Sequence, residues 1–426
     1  MDTDHQRDAD DGRQTADDGR PTTGDGPFCV RPRWSAVRGP SSASRLANPH
    51  GDDKVIAACS LFGAMDTSGR RFSGSLAATA IANMHDRGNG LGGGFAGYGI
   101  YPDFADNYCL HIMFLSKETR TEVEDYLRRN FRIHHGEEIP TRRDARVTNP
   151  PIIWRYFVDP VVHGENGADP ASEQDYIVDR VMEINTGISN AFVFSSGKDM
   201  GVFKGVGFPE DVAEYFRIQD YSGYIWTAHG RFPTNTSGWW GGAHPFSVLD
   251  WTVVHNGEIS SYGINRRYLE MHGYVCTMHT DTEVVAYAAD LLMRRHGLSV
   301  ELAAKVMAPP LWEVIDRMPP GEREIALALR QVYGSLLLNG PFTVIVCRSG
   351  EMIGLTDRIR LRPLAVATAG DMLFLSSEEA AIRLVWPDVE KTWIPVGGQP
   401  IVGRLKGGVA APPPSAIATA LAGGER

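Results

Sequence analysis

Apolar residues along this chain fall into short runs cut by glycine and by charged clusters. The first run, 55–63 (Val-Ile-Ala-Ala-Cys-Ser-Leu-Phe-Gly), has the length and terminal glycine of a buried strand. A helix is predicted over 75–85, with Leu76, Ala80, Ile81 and Met84 on one face, and the cluster 86–90 (Asp-Arg-Gly-Asn-Gly) breaks it. Residues 108–115 read as a strand and 117–130 as a charge-rich helix ending near Phe131. Further on, 176–184 carries a helical stripe, 191–195 and 200–204 read as the two strands of a hairpin, 210–216 as a short helix and 224–228 as a strand.

The second half is more sharply patterned. Residues 251–254 predict a strand that runs into His255-Asn256-Gly257. Thr280 and Glu283 stand three apart, as in a capping box, ahead of a stripe of Val284, Val285, Ala288, Leu291 and Leu292 that stops at Gly297. A helix is predicted over 322–332. Four strands, 342–347, 352–355, 364–368 and 372–376, read as an antiparallel meander. Helices flanked by strand pairs predict a layered α+β fold, and no repeat with a period of roughly 20–50 residues is present.

Composition narrows the class. The 426 residues are 42% hydrophobic and 22% charged, an ordinary globular balance. The first 26 residues hold eight Asp against three Arg, so residues 1–50 are predicted to be a solvated, disordered segment. Residues 407–424, rich in Ala, Pro and Gly, read as a low-complexity tail. A net charge of −10 gains nothing from a phosphate backbone, which argues against nucleic acid as a partner. The five cysteines, Cys29, Cys59, Cys109, Cys276 and Cys347, form no C-x-x-C pair. No zinc ribbon, other metal site or iron–sulfur cluster is therefore expected from this chain alone, and the sparse odd count suits a reducing compartment. No apolar run has the length of a membrane helix and no secretory signal is apparent, so a cytoplasmic location is expected.

Four features could carry chemistry, and each has an ordinary structural explanation too. Cys59 at a buried strand is, taken alone, inert packing. Arg231, in the run 229–235, could grip a carboxylate with two parallel hydrogen bonds, or be a surface Arg in a turn. Asn256-Gly257 could supply an oxyanion hole from a side-chain amide and a backbone N–H, or be only a turn. Asp281, in the first turn of a helix, could hold an ammonium group or simply complement the helix dipole. Together they match a free amino acid that carries an amide, attacked by sulfur.

Several stretches then carry a resemblance: Cys59-Ser60-Leu61-Phe62-Gly63, Met84-His85-Asp86-Arg87-Gly88-Asn89-Gly90, 229–235, Trp239-Trp240-Gly241-Gly242-Ala243-His244-Pro245-Phe246, 255–260, Thr280-Asp281-Thr282-Glu283, and 355–363. In this order they resemble the class II glutamine amidotransferases, among the N-terminal nucleophile hydrolases, and most of all the glutaminase domain of glutamate synthase where that domain is a separate chain. The resemblance runs from about Ala58 to Ile401. It implies a four-layer αββα sandwich over residues 59–401. It implies Cys59 as nucleophile, with its own α-amino group as base, Asn256 and Gly257 as oxyanion hole, Arg231 and Asp281 as the sites for the glutamine carboxylate and ammonium, and Thr234 as an orienting residue.

Cys59 would have to be the first residue of the mature chain, so residues 1–58 are expected to be a removable leader. Ser60 stands where the family often has Gly. The stretch 105–222 is expected to be an inserted subdomain, and 402–426 a tail. The acceptor of the ammonia is expected on a separate synthase subunit, with FMN and an iron–sulfur cluster there and no cofactor on this chain. Two other readings stand beside this one: a subunit of an N-methylglutamate synthase, and a non-catalytic glutamine-binding module.

Overall fold

The alternation along strand Phe342–Arg348 sets the layers. Val344 and Val346 enter a core shared with Val284, Val285 and Ala288 of helix Asp281–Ala289, whereas Ile345 and Cys347 enter a core shared with Leu61, Phe62 and Phe374. One strand thus presents one face to helices and the other to a second sheet, the period-two behaviour of a strand buried on both sides. The computed structural model describes residues 58–143, 145–161, 170–233 and 238–406. The expected leader, apart from Ala58, and most of the expected tail lie outside these residues, as does Thr234.

Two antiparallel sheets make up the layers. One has seven strands, in the spatial order 391–393, 365–369, 372–376, 60–66, 225–230, 93–98, 200–205. The other has five, in the order 246–248, 251–257, 342–348, 351–356, 401–404. They touch at Gly63, where an added Cβ would stand 3.0 Å from the Met352 sulfur and 3.2 Å from the Ile345 side chain. A bulkier residue there would push the sheets apart. Helix Ser75–Ala82 lays Ala77, Ala80 and Ile81 against the first sheet, and helices Pro209–Tyr215 and Glu379–Val385 cover it too. The α+β reading holds, with the antiparallel sheets it called for.

Three sequence expectations change. Among the described residues the first strand is Ser60–Asp66, so Cys59 precedes it, and 55–57 of the expected run lie outside the described residues. The stretches 191–195 and 200–204 are strands but not a hairpin. Ala191–Ser195 pairs with Tyr108–Phe114 in a third sheet, while Met200–Gly205 pairs with Gly93–Tyr98 in the seven-stranded one. The link between them turns sharply at Asp199, whose φ is 48°. The final four strands are two hairpins in two sheets rather than one meander. Residues 357–364 cross between the sheets, and the Asp357 carboxylate stabilises that crossing by accepting from the backbone of Phe342, Ile359 and Leu361.

Of the stretch 105–222, Tyr108–Ser195 supplies the third sheet, in the order 131–138, 152–160, 108–114, 191–195, with helices Lys117–Asn130 and Pro170–Gly187. Met200–Gly205 and helix Pro209–Tyr215 belong to the main layers instead. Order also runs past residue 401, because Ile401–Arg404 pairs with Glu351–Gly354 as the edge of the five-stranded sheet. Among the described residues no helix is long and apolar enough to cross a membrane.

Candidate active site

The stacked sheets bring the ends of two strands together. In the seven-stranded sheet Ser60 pairs with Gly230, which sets Cys59 and Arg231 side by side just beyond the last pairing. In the five-stranded sheet Trp251–Gly257 ends on Asn256 and Gly257, so the triplet 255–257 continues the strand rather than forming a turn. Helix Asp281–Ala289 lies on that strand and begins at the same end. A cavity of about 490 Å³ results, lined by Cys59, Arg231, Asn256, Gly257 and Asp281 together with His244, His255 and Arg362.

Cys59 is half-buried. Its sulfur accepts the backbone N–H of Phe232 at 3.3 Å. Burial raises the thiol pKa; the Phe232 N–H and the cations Arg231 and Arg362 act the other way, and Asp281 adds to the rise. The Cys59 carbonyl is held by Arg87, whose Nε and Nη2 both donate at 3.2 Å, while Nη1 pairs with Glu378 at 2.9 Å. Ser377 ties the neighbouring strand to the opposite sheet: its hydroxyl accepts the Leu61 N–H at 3.1 Å and the Asn256 side-chain amide at 3.5 Å.

Arg231 is buried, 4% exposed, and burial pulls its pKa down while Cys59 and Asp281 oppose that. Its backbone N–H donates to Gly92 O at 2.8 Å, and a Cβ on Gly92 would stand 3.0 Å from the Arg231 Cδ. Glycine at 92 is what lets the arginine stem lie flat there. Asp281 is 20% exposed at its side chain. Burial works to raise its pKa, but His255, the Ile259 N–H at 2.9 Å and the Thr282 hydroxyl outweigh it and hold the carboxyl below its usual range. The lining of one cavity thus includes a buried arginine, a carboxylate held in its ionised form, a thiol and a side-chain amide.

The capping box is half formed. Thr280 accepts the Glu283 N–H at 3.3 Å, but the Glu283 carboxylate turns away to take the backbone N–H groups of Thr277 and Met278, both at 2.9 Å. It thereby fixes the loop that leads into Asp281.

The structure lines one cavity with five of the six residues singled out from sequence, and Thr234 lies outside the described residues. Arg87, Phe232, His244, Thr282, Arg362 and Ser377 also meet these residues or line the cavity, though residue type alone does not single them out. Arg87, His244, Thr282 and Arg362 sit inside motifs that carried the resemblance, and a charged residue directly before Gly88 in the break after the first helix is the signal that could have raised Arg87. Phe232 acts through its backbone, which no residue type announces. Among the described residues no cluster of three or more His, Cys, Asp or Glu is arranged to hold a metal ion.

Comparison with known proteins agrees with this chemistry. Residues 138–279 match the family model described as class II glutamine amidotransferases. That span contains Arg231, Asn256 and Gly257; Cys59 and Asp281 lie outside it. An uncharacterized protein of Archaeoglobus fulgidus is 60% identical over 357 residues, which is 83% of this chain and 94% of that protein. A putative glutamine amidotransferase of Methanothermobacter thermautotrophicus is 27% identical, over 51% of this chain and 63% of the relative. The glutamine amidotransferase-like protein GlxB of Rhizobium meliloti is 27% identical, over 48% of this chain and 59% of the relative. The chain thus spans less than two thirds of either of these two relatives.

Proposed function

Since the chain belongs to the class II glutamine amidotransferases, we propose that it hydrolyses glutamine to glutamate and ammonia through a thioester on Cys59 and passes the ammonia to a synthase subunit on another chain. The observation that carries this reading is that Arg231, Asp281, the Cys59 thiol and the Asn256 amide line one cavity. A free amino acid needs one fixed cation and one fixed anion at its α-carbon, and its side-chain amide needs a nucleophile and an oxyanion donor.

In this mechanism Arg231 takes the α-carboxylate and Asp281 the α-ammonium. Thr234 helps to orient the substrate. The Cys59 α-amine, whose ordinary pKa of about 7.7–8.0 suits a base near neutral pH, removes the thiol proton as sulfur adds to the amide carbon. The oxyanion is received by the Asn256 side-chain N–H and the Gly257 backbone N–H. The proton then passes to the amide nitrogen, the C–N bond breaks and ammonia leaves. Water adds to the thioester, the amine takes its proton, and the C–S bond breaks to return the thiol and release glutamate.

A free amine on Cys59 requires hydrolysis of the Ala58–Cys59 bond, so residues 1–58 are a propeptide in this reading. The ammonia acceptor is a glutamate synthase subunit, and FMN and an iron–sulfur cluster belong to that partner.

The test is the intact mass of the protein from its native host, combined with glutamate and ammonia release. A chain beginning at Cys59, yielding the two products one to one and trapping an acyl-enzyme on denaturation, supports the reading. Turnover at the same rate by protein that still carries residues 1–58 overturns the α-amine as base. Retention of the leader with no turnover overturns the catalytic reading in favour of a glutamine-binding module.

A further inference from the structure

Behind Asp281 lie three buried imidazoles and one hydroxyl that the proposed reaction does not use. The Thr282 Oγ1 is met by His244 Nε2 at 2.7 Å and by His255 Nδ1 at 3.1 Å, and it stands 3.3 Å from Asp281 Oδ1. His255 Nδ1 is itself 3.7 Å from that same carboxylate oxygen. His229 Nε2 lies 2.8 Å from the His255 carbonyl oxygen, and the His229 ring stacks on His244 with centroids 4.0 Å apart.

Valence decides where the hydrogens are. A hydroxyl has one hydrogen and two acceptor lone pairs, an ionised carboxylate only accepts, and so does a carbonyl. All three contacts of Thr282 Oγ1 are hydrogen bonds only if the hydroxyl gives its hydrogen to Asp281 and accepts an N–H from each imidazole. His244 therefore carries its hydrogen on Nε2 and His255 on Nδ1, while His229 carries its own on Nε2 to serve the carbonyl. His229 Nδ1, His244 Nδ1 and His255 Nε2 are each buried with no hydrogen-bond partner among the described residues. Burial pushes the His229 pKa down to about 3 and that of His244 well below its ordinary value, in keeping with neutral rings.

We propose that Thr282, with its hydroxyl locked by His244 and His255, is a positioning residue that fixes the rotamer of Asp281 and so sets the selectivity of the site for an α-ammonium group. With both lone pairs of Thr282 occupied, its one hydrogen can go only to Oδ1. The Ile259 N–H meets Oδ2 at 2.9 Å. One hydrogen bond on each oxygen leaves the carboxylate a single orientation, with its remaining lone pairs free to take a substrate N–H. A carboxylate left to rotate would lose orientation toward the ammonium while still supplying charge, so the network serves discrimination more than charge. This inference rests on the reading of Asp281 as the ammonium site.

The experiment compares glutamine with 4-carbamoylbutanoate, the same amide acid without its α-amino group, and reads the ratio of their kcat/KM values. Thr282→Val keeps the shape and removes the hydroxyl; it is expected to lower the ratio about tenfold, mainly through KM for glutamine, and Thr282→Ser to restore most of it. His244→Phe keeps a ring against His229 but removes the donor, and is expected to lower the ratio in the same direction. A ratio unchanged by either variant, with both substrates slowed alike, overturns the proposal and leaves the cluster a packing feature. A wild-type enzyme that does not prefer glutamine overturns the ammonium reading of Asp281 itself, and the network's role with it.

Discussion

The guanidinium of Arg87 grips the carbonyl oxygen of Cys59 with two N–H groups, each at 3.2 Å, and turns its third nitrogen to Glu378 at 2.9 Å. The residue that carries the proposed nucleophile is therefore held by its backbone carbonyl as well as by the Phe232 N–H on its sulfur. A planar fork can make both bonds at once; a lysine ammonium cannot. Arg87→Lys is expected to lower kcat by roughly tenfold or more with a smaller change in KM, since charge-assisted hydrogen bonds are each worth about 1.5–3 kcal/mol. Glu378→Gln should cost less, because the Glu378 side chain is 41% exposed and its pairing is weakened by water. Steady-state glutamine hydrolysis distinguishes the two, and an Arg87→Lys variant with wild-type kcat would count against this arrangement.

Arg231 and Asp281 should fail in different ways. Arg231→Lys keeps the charge but loses the bidentate geometry, so KM for glutamine is expected to rise roughly 10- to 100-fold with a smaller loss in kcat. Asp281→Asn removes the counter-charge for the ammonium and should raise KM for glutamine while affecting 4-carbamoylbutanoate far less. Matched initial-rate curves for the two amides check both claims. Equal loss on both substrates for Asp281→Asn would place that carboxylate outside the ammonium site.

How far the sequence led depends on where the determining contact lies. Helix Lys117–Asn130 was readable to the residue, because Ser116 caps it by accepting the Thr119 N–H and its charge pattern is local. The strands 191–195 and 200–205 were legible as strands, but their partners are separated by sheet assignment, which a period-two pattern does not encode. The same holds for the last two hairpins, where the crossing at Asp357 depends on hydrogen bonds to Phe342, fifteen residues away. Around the cavity, Cys59, Arg231, Asn256, Gly257 and Asp281 are legible as candidates because their side chains or motifs carry recognisable chemistry. Arg87 and Thr282 act through another residue, and Phe232 acts through its N–H, so their contribution exists only once strands from both halves of the chain are stacked.

Gly257 has a φ of 146°, and an added Cβ would stand 2.0 Å from the Pro341 carbonyl oxygen, a backbone atom that cannot move aside cheaply. Gly257→Ala must shift the end of the strand that carries Asn256. It is expected to lower the melting temperature, with strain of about 1–3 kcal/mol, and to remove most turnover. Gly263→Ala is the matched control: nothing lies within 4 Å of its Cβ position, and it sits in helix Tyr262–Glu270, where alanine is favoured by roughly 0.5–1 kcal/mol. Thermal melts of the two variants should move in opposite directions. A Gly257→Ala protein as stable and active as wild type would show that this backbone position tolerates a side chain.

Lys204 offers a test that needs no substrate. It is fully buried, donates from Nζ to the Gly241 carbonyl at 2.9 Å and lies over the Phe246 ring. Burial pulls its pKa down from 10.5 to about 7, against the upward pull of the Glu283 carboxylate. Glu283 goes the other way: burial pushes it up from 4.5 to about 7, against the N–H groups of Met278 and Thr277, the Tyr287 hydroxyl and Lys204. Above a pH of about 7 the unfolded chain holds a proton on Lys204 that the folded chain has released, so stability rises with pH toward about 10.5. Between about 4.5 and 7 the folded chain holds a proton on Glu283 that the unfolded chain has lost, so stability falls as pH rises through that window. Lys204→Met is therefore expected to abolish the upper rise, and Glu283→Gln the lower fall, relative to wild type in otherwise identical buffers. Denaturant midpoints at intervals across the range read this directly. If the Lys204→Met and wild-type curves run parallel above neutral pH, the lysine titrates alike in the folded and unfolded chains.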